Sequence, residues 1–193
     1  MGNRQKVVVK KEREVRTYVD MWHTSNCLLK KGKEEDKASY HQFMASLVFT
    51  AFTLEAYLNH IGPKVFSCWD DLERLGPKEK LNVISEKVGL EIDYSRRPWQ
   101  VMKRLFGFRN DIAHGKSVKI KSEETIPIKD HVDDKLHGFT KTKWEEYCTE
   151  NNAESARKDV ESIINEIHSA SGIKSEYPFV GGLQISGATI VEE

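Results

Sequence analysis

"FMASLVFTAFTLEAYLNHIG", residues 43–62, is the most apolar stretch of this 193-residue chain. On a helical wheel its apolar residues fall on all sides. A helix that is apolar all round belongs inside a protein, so this stretch is expected to be the central helix of a bundle. Gly62-Pro63 is expected to end it, because proline offers no N–H to continue the helix. Glu55 is the lone acid within it. A carboxylate in such a helix needs a partner.

Further helices read outward from this one. Residues 76–90, "GPKEKLNVISEKVGL", place Pro77 near a helix start and Leu81, Ile84 and Val88 at helical spacing. Residues 98–114 form the next helix, with Val101, Leu105, Phe108 and Ile112 on its core side. It and residues 43–61 are expected to be antiparallel neighbours. Residues 142–170 return to helix, with Val160, Ile163, Ile164 and Ile167 as the packed stripe and a break expected at Asn151-Asn152. Trp144 and Tyr147 read as packing residues at its start. Upstream, residues 10–31 read as a polar helix ending near Gly32. Residues 115–141 lack periodicity and read as a polar loop or insertion. The tail, residues 171–193, has a weak β-like pattern with glycines and reads as either disordered or paired with a partner. The expectation is an all-α fold: one helical domain over residues 1–170, an up-and-down bundle, followed by that tail.

Composition excludes several classes. Formal net charge is zero, which is not the balance of a general nucleic-acid-binding protein. No stretch approaches the roughly 18 apolar residues of a membrane span. The start, "MGNRQKVVVKKERE", lacks an apolar segment of signal-peptide length, and Lys6 stands where a myristoylation signal wants Ser or Thr. Cys27, Cys68 and Cys148 are odd in number and far apart, so free thiols in a reducing cytoplasm are expected. His131, Asp133, Asp134 and His137 cluster within residues 129–138, but their spacing fits no metal site, and no metal is expected.

The neutral total hides a local imbalance. From Lys103 to Lys121 there are six basic residues and one acid, Asp111. A polyanion can bind such a segment, with Lys103, Arg104 and Lys116 as candidate contacts. Within it lies "FRNDIAHG", residues 108–115. Asn110 and His114 are four apart and project together, away from the core side. Arg109 lies between the two faces. Phe106 and Gly107 share the outer face, where a glycine in mid-helix suggests close approach by a second copy of the chain.

"SLVFTAFTLEAYLNHI", "LGPKEKLNVI" and "FRNDIAHG", in that order, resemble the HEPN superfamily, helical domains of prokaryotic toxins and antiviral systems. The resemblance covers roughly residues 40–170. The family signature is Arg, four to six residues, then His, with a polar residue often after the Arg. Arg109, Asn110 and His114 match it. Arg16 and His23 satisfy the same spacing by chance, without the context.

The resemblance implies a metal-independent, cofactor-free endoribonuclease, a toxin or phage-defence effector with an antitoxin or defence-system partner. Two copies would meet across a two-fold axis, each supplying one Arg and one His. Arg109 would hold the scissile phosphate with planar, paired donors. His114, of a type that titrates near neutrality, would move the proton, and Asn110 would position both. The family pattern also places Glu at position 55, as a brace for Arg109 or the backbone. The alternative is a non-catalytic helical module that binds a protein partner or RNA.

Overall fold

The structure, a computed structural model, describes residues 6–35, 37–123, 125 and 140–191. Its helices are α1 (Thr17–Glu34), α2 (Ser39–Val65), α3 (Trp69–Leu72), α4 (Pro77–Val88), α5 (Val101–Ala113), α6 (Lys143–Tyr147) and α7 (Glu150–Ser171). Two strands, β1 (Lys6–Arg13) and β2 (Gln184–Val191), form one antiparallel ribbon. The chain is a helical bundle with a β-ribbon made from its two ends.

Central helix α2 buries Leu47, Ala51, Leu54, Leu58 and Ile61 completely. It packs most extensively on α1 and α7, and α4 and α5 cover its remaining core side. The helix does not stop at Gly62-Pro63. It runs to Val65, and the Phe66 N–H closes on the Gly62 carbonyl at 2.9 Å. Proline so near the end forfeits one backbone bond only. Gly62 serves packing instead, because the Trp69 ring lies where a Cβ would be.

The α4 expectation holds, with Pro77 in its first turn and Gly89 in the left-handed region at φ +73° closing it. The break in the last helical stretch falls at Cys148–Thr149, just before the asparagines. The Thr149 hydroxyl accepts from the Asn152 N–H at 3.2 Å, so Thr149 caps α7 and the asparagines lie inside its first turn.

The ends of the chain differ from the all-α expectation. Residues 10–13 are strand, not helix, and α1 begins only at Thr17. The tail is ordered into β2 and pairs with the chain's own N-terminal segment, Val7 opposite Ile190 and Val9 opposite Ala188. At the ribbon's base the Glu14 N–H bonds the Leu183 carbonyl at 2.9 Å. Below it Arg16 pairs with Glu176 at 2.9 Å, and Glu176, nearly fully buried, also holds His60 at 3.2 Å and Lys64. Arg16, the chance match to the Arg-to-His spacing, is thus part of the clamp that fixes the tail.

Candidate functional site

Helix α5 carries the motif. Val101, Leu105 and Phe108 are buried as expected, while Ile112 is half-buried. Met102 and Phe106 are buried too. The buried arc is therefore wider than expected and is centred close to Arg109. Phe106 is not on the outer face and cannot meet a second copy there. Gly107 is on that face and open: among the described residues nothing lies within 4 Å of where its Cβ would be.

Arg109 points inward, toward α2. Its Nη2 donates to Glu55 Oε2 at 2.5 Å, and its Nη1 donates to Asn110 Oδ1 at 3.0 Å. The guanidinium also lies 5.6 Å from the centre of the Phe52 ring. Its Nε is buried with no partner among the described residues. Side-chain exposure is 20% for Arg109 and 26% for Glu55, so the pair is shielded on most sides but reachable at its rim. Glu55 thus finds the partner that its place in an apolar helix demands.

His114 caps the helix, its N–H bonded to the Asn110 carbonyl at 2.9 Å. It is exposed, as is Asn110. Gly115 then carries the chain so close to the Asp111 carbonyl that a Cβ would lie 2.8 Å from it. This explains a glycine there without a left-handed turn.

The outer face of α5 looks onto α6 across two adjoining grooves. The larger, about 560 Å³, is lined by Lys103, Arg104, Gly107, Lys143, Trp144 and Tyr147, among others. The second, about 500 Å³, holds Asn110, His114 and Lys116. Asp111, Lys143 and Trp144 border both. Arg109 lines neither. The motif is therefore divided within one protomer, with Asn110 and His114 toward the grooves and Arg109 toward Glu55.

Lys143 and Trp144 were not expected as site residues; Trp144, read as packing, does pack against the core and lines both grooves as well. The signal was present in "KTKW", a basic-aromatic run, but only tertiary contact sets it opposite Lys103 and Arg104. Tyr147 does pack, its ring 5.4 Å from Phe108, and burial pushes its hydroxyl pKa up to about 12. His131, Asp133, Asp134 and His137 lie outside the described residues. Among the described residues no cluster of His, Cys, Asp or Glu has the makings of a metal site, and no helix is long and apolar enough to cross a membrane. Cys27 and Cys68 are exposed free thiols, and Cys148 is a buried one.

Set against known proteins, the chain matches no family model, no curated protein and no solved structure.

Chemically, the end of α5 offers a guanidinium fixed by two acceptors, with its other N–H donors unspent among the described residues. It also offers a solvent-facing imidazole one turn further on and an amide between them.

Proposed function

We propose that this protein is a HEPN-type, metal-independent endoribonuclease that works as a homodimer in the cytoplasm, as a toxin or phage-defence effector. The observation that carries the reading is the fixing of Arg109 by Glu55 and Asn110 at the same helix end as His114. A solvated surface arginine has no such brace, whereas a phosphate-binding one gains from being held in place.

Cleavage follows from these groups. One His114 imidazole takes the proton from the 2′-hydroxyl of the RNA, whose oxygen attacks the adjacent phosphorus. Arg109 binds the phosphate oxygens as their charge grows. A second imidazole returns a proton to the departing 5′-oxygen. The products are a 2′,3′-cyclic phosphate and a 5′-hydroxyl end. One protomer has a single His114 and turns its Arg109 away from it, so the two-histidine form requires two copies.

Helix α2 supplies a face for that union. Its outward arc carries Ala45, Phe49 and Phe52, flanked by Val48 and Ala56 at the edge of the core, all half-buried, where an ordinary surface helix would be polar. Phe49 and Phe52 pack edge to face, 6.4 Å between centres, outside the core cluster. Phe52 also borders Arg109. A second copy seated on this arc covers the apolar stripe and brings both copies of Arg109 near the axis. It replaces the Phe106 contact that burial rules out.

The division of the motif within one protomer favours a second reading, a non-catalytic module in which the Arg109–Glu55 pair only joins α5 to α2. Incubating the protein with single-stranded RNA, with and without a chelator, separates the two. Cleavage that survives the chelator and leaves cyclic phosphate ends supports the nuclease. Intact RNA across a set of mixed sequences supports the module, and cleavage lost with the chelator overturns the metal-independent chemistry.

A further inference from the structure

The two grooves between α5 and α6 adjoin along Asp111, Lys143 and Trp144, which border both, and together make a trough. Four cations line it, Lys103, Arg104, Lys116 and Lys143, against one acid, Asp111. In a chain of zero net charge this is a marked local excess. Glu145, next to Trp144, is held at the edge of the second groove by Thr142, which lines it. Its carboxylate accepts from the Thr142 N–H at 2.6 Å and from the Thr142 hydroxyl at 2.7 Å, closing a capping box.

Two further features concern shape. Trp22, Trp69 and Trp99 are buried, whereas Trp144 is half-buried at the junction of the two grooves. At Gly107 the α5 backbone is bare, with open space where a side chain would stand. Glycine there costs about 1 kcal/mol in helix propensity relative to alanine. Among the described residues nothing in the packing requires it. An occupant that approaches the helix closely does.

We propose that this trough is a binding track for a single-stranded polynucleotide, with a base stacked on Trp144, its neighbour lying over Gly107, and the phosphates running along Lys103, Arg104, Lys143 and Lys116. An indole among spaced cations suits a strand that alternates flat bases with negative charges. An acidic peptide needs the cations but has no use for the indole or the bare backbone. The track ends at Asn110 and His114, so it deepens the nuclease reading by giving the substrate's path. It rests on that reading only for the strand being RNA.

An oligodeoxythymidylate of about 12 nucleotides tests the trough alone, since it lacks the 2′-hydroxyl and covers a typical single-strand site. It should quench tryptophan fluorescence, because the one tryptophan that is not buried lies in the track. Trp144→Phe should remove most of that signal, and Trp144→Ala should weaken binding about 5- to 150-fold, the range for one stacked base. Binding should fall with salt at a log–log slope of up to about −2.8 for four phosphate contacts, and Lys143→Gln should reduce it by about 0.7. Gly107→Leu should fill the trough and abolish binding while the far-ultraviolet circular dichroism stays helical, since leucine favours helix and its Cβ has no described neighbour within 4 Å.

No binding at low salt, undiminished binding by Gly107→Leu, or equal quenching by polyglutamate overturns the track. Binding of the deoxy-oligonucleotide by a protein that cuts no RNA leaves the track standing and the nuclease reading fallen. RNA cleavage that Gly107→Leu and Lys143→Gln leave unchanged does the reverse.

Discussion

Arg109 Nη2 lies 2.5 Å from Glu55 Oε2, joining a helix-end arginine to the one acid of the apolar stretch 43–62, fifty-four residues earlier. A double-mutant cycle with Glu55→Gln and Arg109→Met should show a coupling on the order of 1–3 kcal/mol in urea unfolding, the range for contacting, hydrogen-bonded charges. If RNA is cut, Glu55→Gln should lower kcat more than it raises KM, because Glu55 positions Arg109 and does not touch the phosphate. A coupling of zero would mean that the two side chains do not meet in solution.

His114 is exposed and caps α5 through its backbone N–H alone. His114→Ala should therefore unfold at nearly the wild-type temperature. Cleavage should fall about 10²- to 10⁴-fold, as for loss of one general acid–base group. Arg109→Lys should also fail, since lysine keeps the charge but not the paired donors. A His114→Ala protein that cuts RNA as fast as the wild type would reduce the motif to a helix end.

Leu105 is completely buried on the core face of α5. Leu105→Ala should cost about 2–5 kcal/mol of stability, as core truncations do. Arg16→Ala should also destabilise, by loosening Glu176, yet leave cleavage intact when assayed well below its melting temperature. Loss of activity in that folded variant would show that the second Arg-to-His match is not a coincidence of spacing.

Phe49 and Phe52 stand on the outward arc of α2. Phe49→Ser with Phe52→Ser should convert a dimer to monomer in sedimentation velocity without loss of helix. A double variant that still sediments as the wild-type dimer would place the two-fold contact on another face.

Acid should weaken the fold at the tail clamp. Burial, then Lys64, holds the His60 pKa below its ordinary value. The unfolded imidazole therefore binds a proton first, and stability falls as pH drops below about 6.5. Burial pushes the Glu176 pKa up, but Lys64, His60 and Arg16 outweigh it and hold it below the usual carboxylate value. Its contribution is complete above the unfolded value of about 4.3 and is lost as pH falls through the folded one. The two effects have the same sign and act in sequence. Glu176→Gln should cost about 3–5 kcal/mol at pH 7, since it leaves two cations, Arg16 and Lys64, around a neutral group. It should also flatten the lower part of the pH profile, and His60→Gln the upper part. A flat wild-type profile between pH 7 and 4 would exclude both.

Local pattern determined most of the helices. The all-round apolar run of residues 43–62 specified a central helix because nothing polar in it tolerates a solvent face except near Glu55 and the end. Pro77 and the stripe from Leu81 placed α4, and Val160, Ile163, Ile164 and Ile167 placed the core side of α7. These signals are periodic and lie within a few turns of one another, so they are complete in the sequence. Arg109, Asn110 and His114 were legible as a set for the same reason: they share one helix end.

Tertiary structure decided what depends on distant partners. The strand at residues 6–13 was hidden because its hydrogen bonds go to residues 184–191, and no local period announces a partner so far along the chain. Gly62-Pro63 looked like a stop, but Gly62 answers to the Trp69 ring. Phe106 looked exposed because the wheel gives the angle of each residue and not the width of the buried arc, which α2 and its neighbours set. The same packing turned Arg109 toward Glu55 and opened the trough between α5 and α6. Those two arrangements depend on how separate helices meet, and that is fixed by the packing of whole faces rather than by the pattern along any one of them.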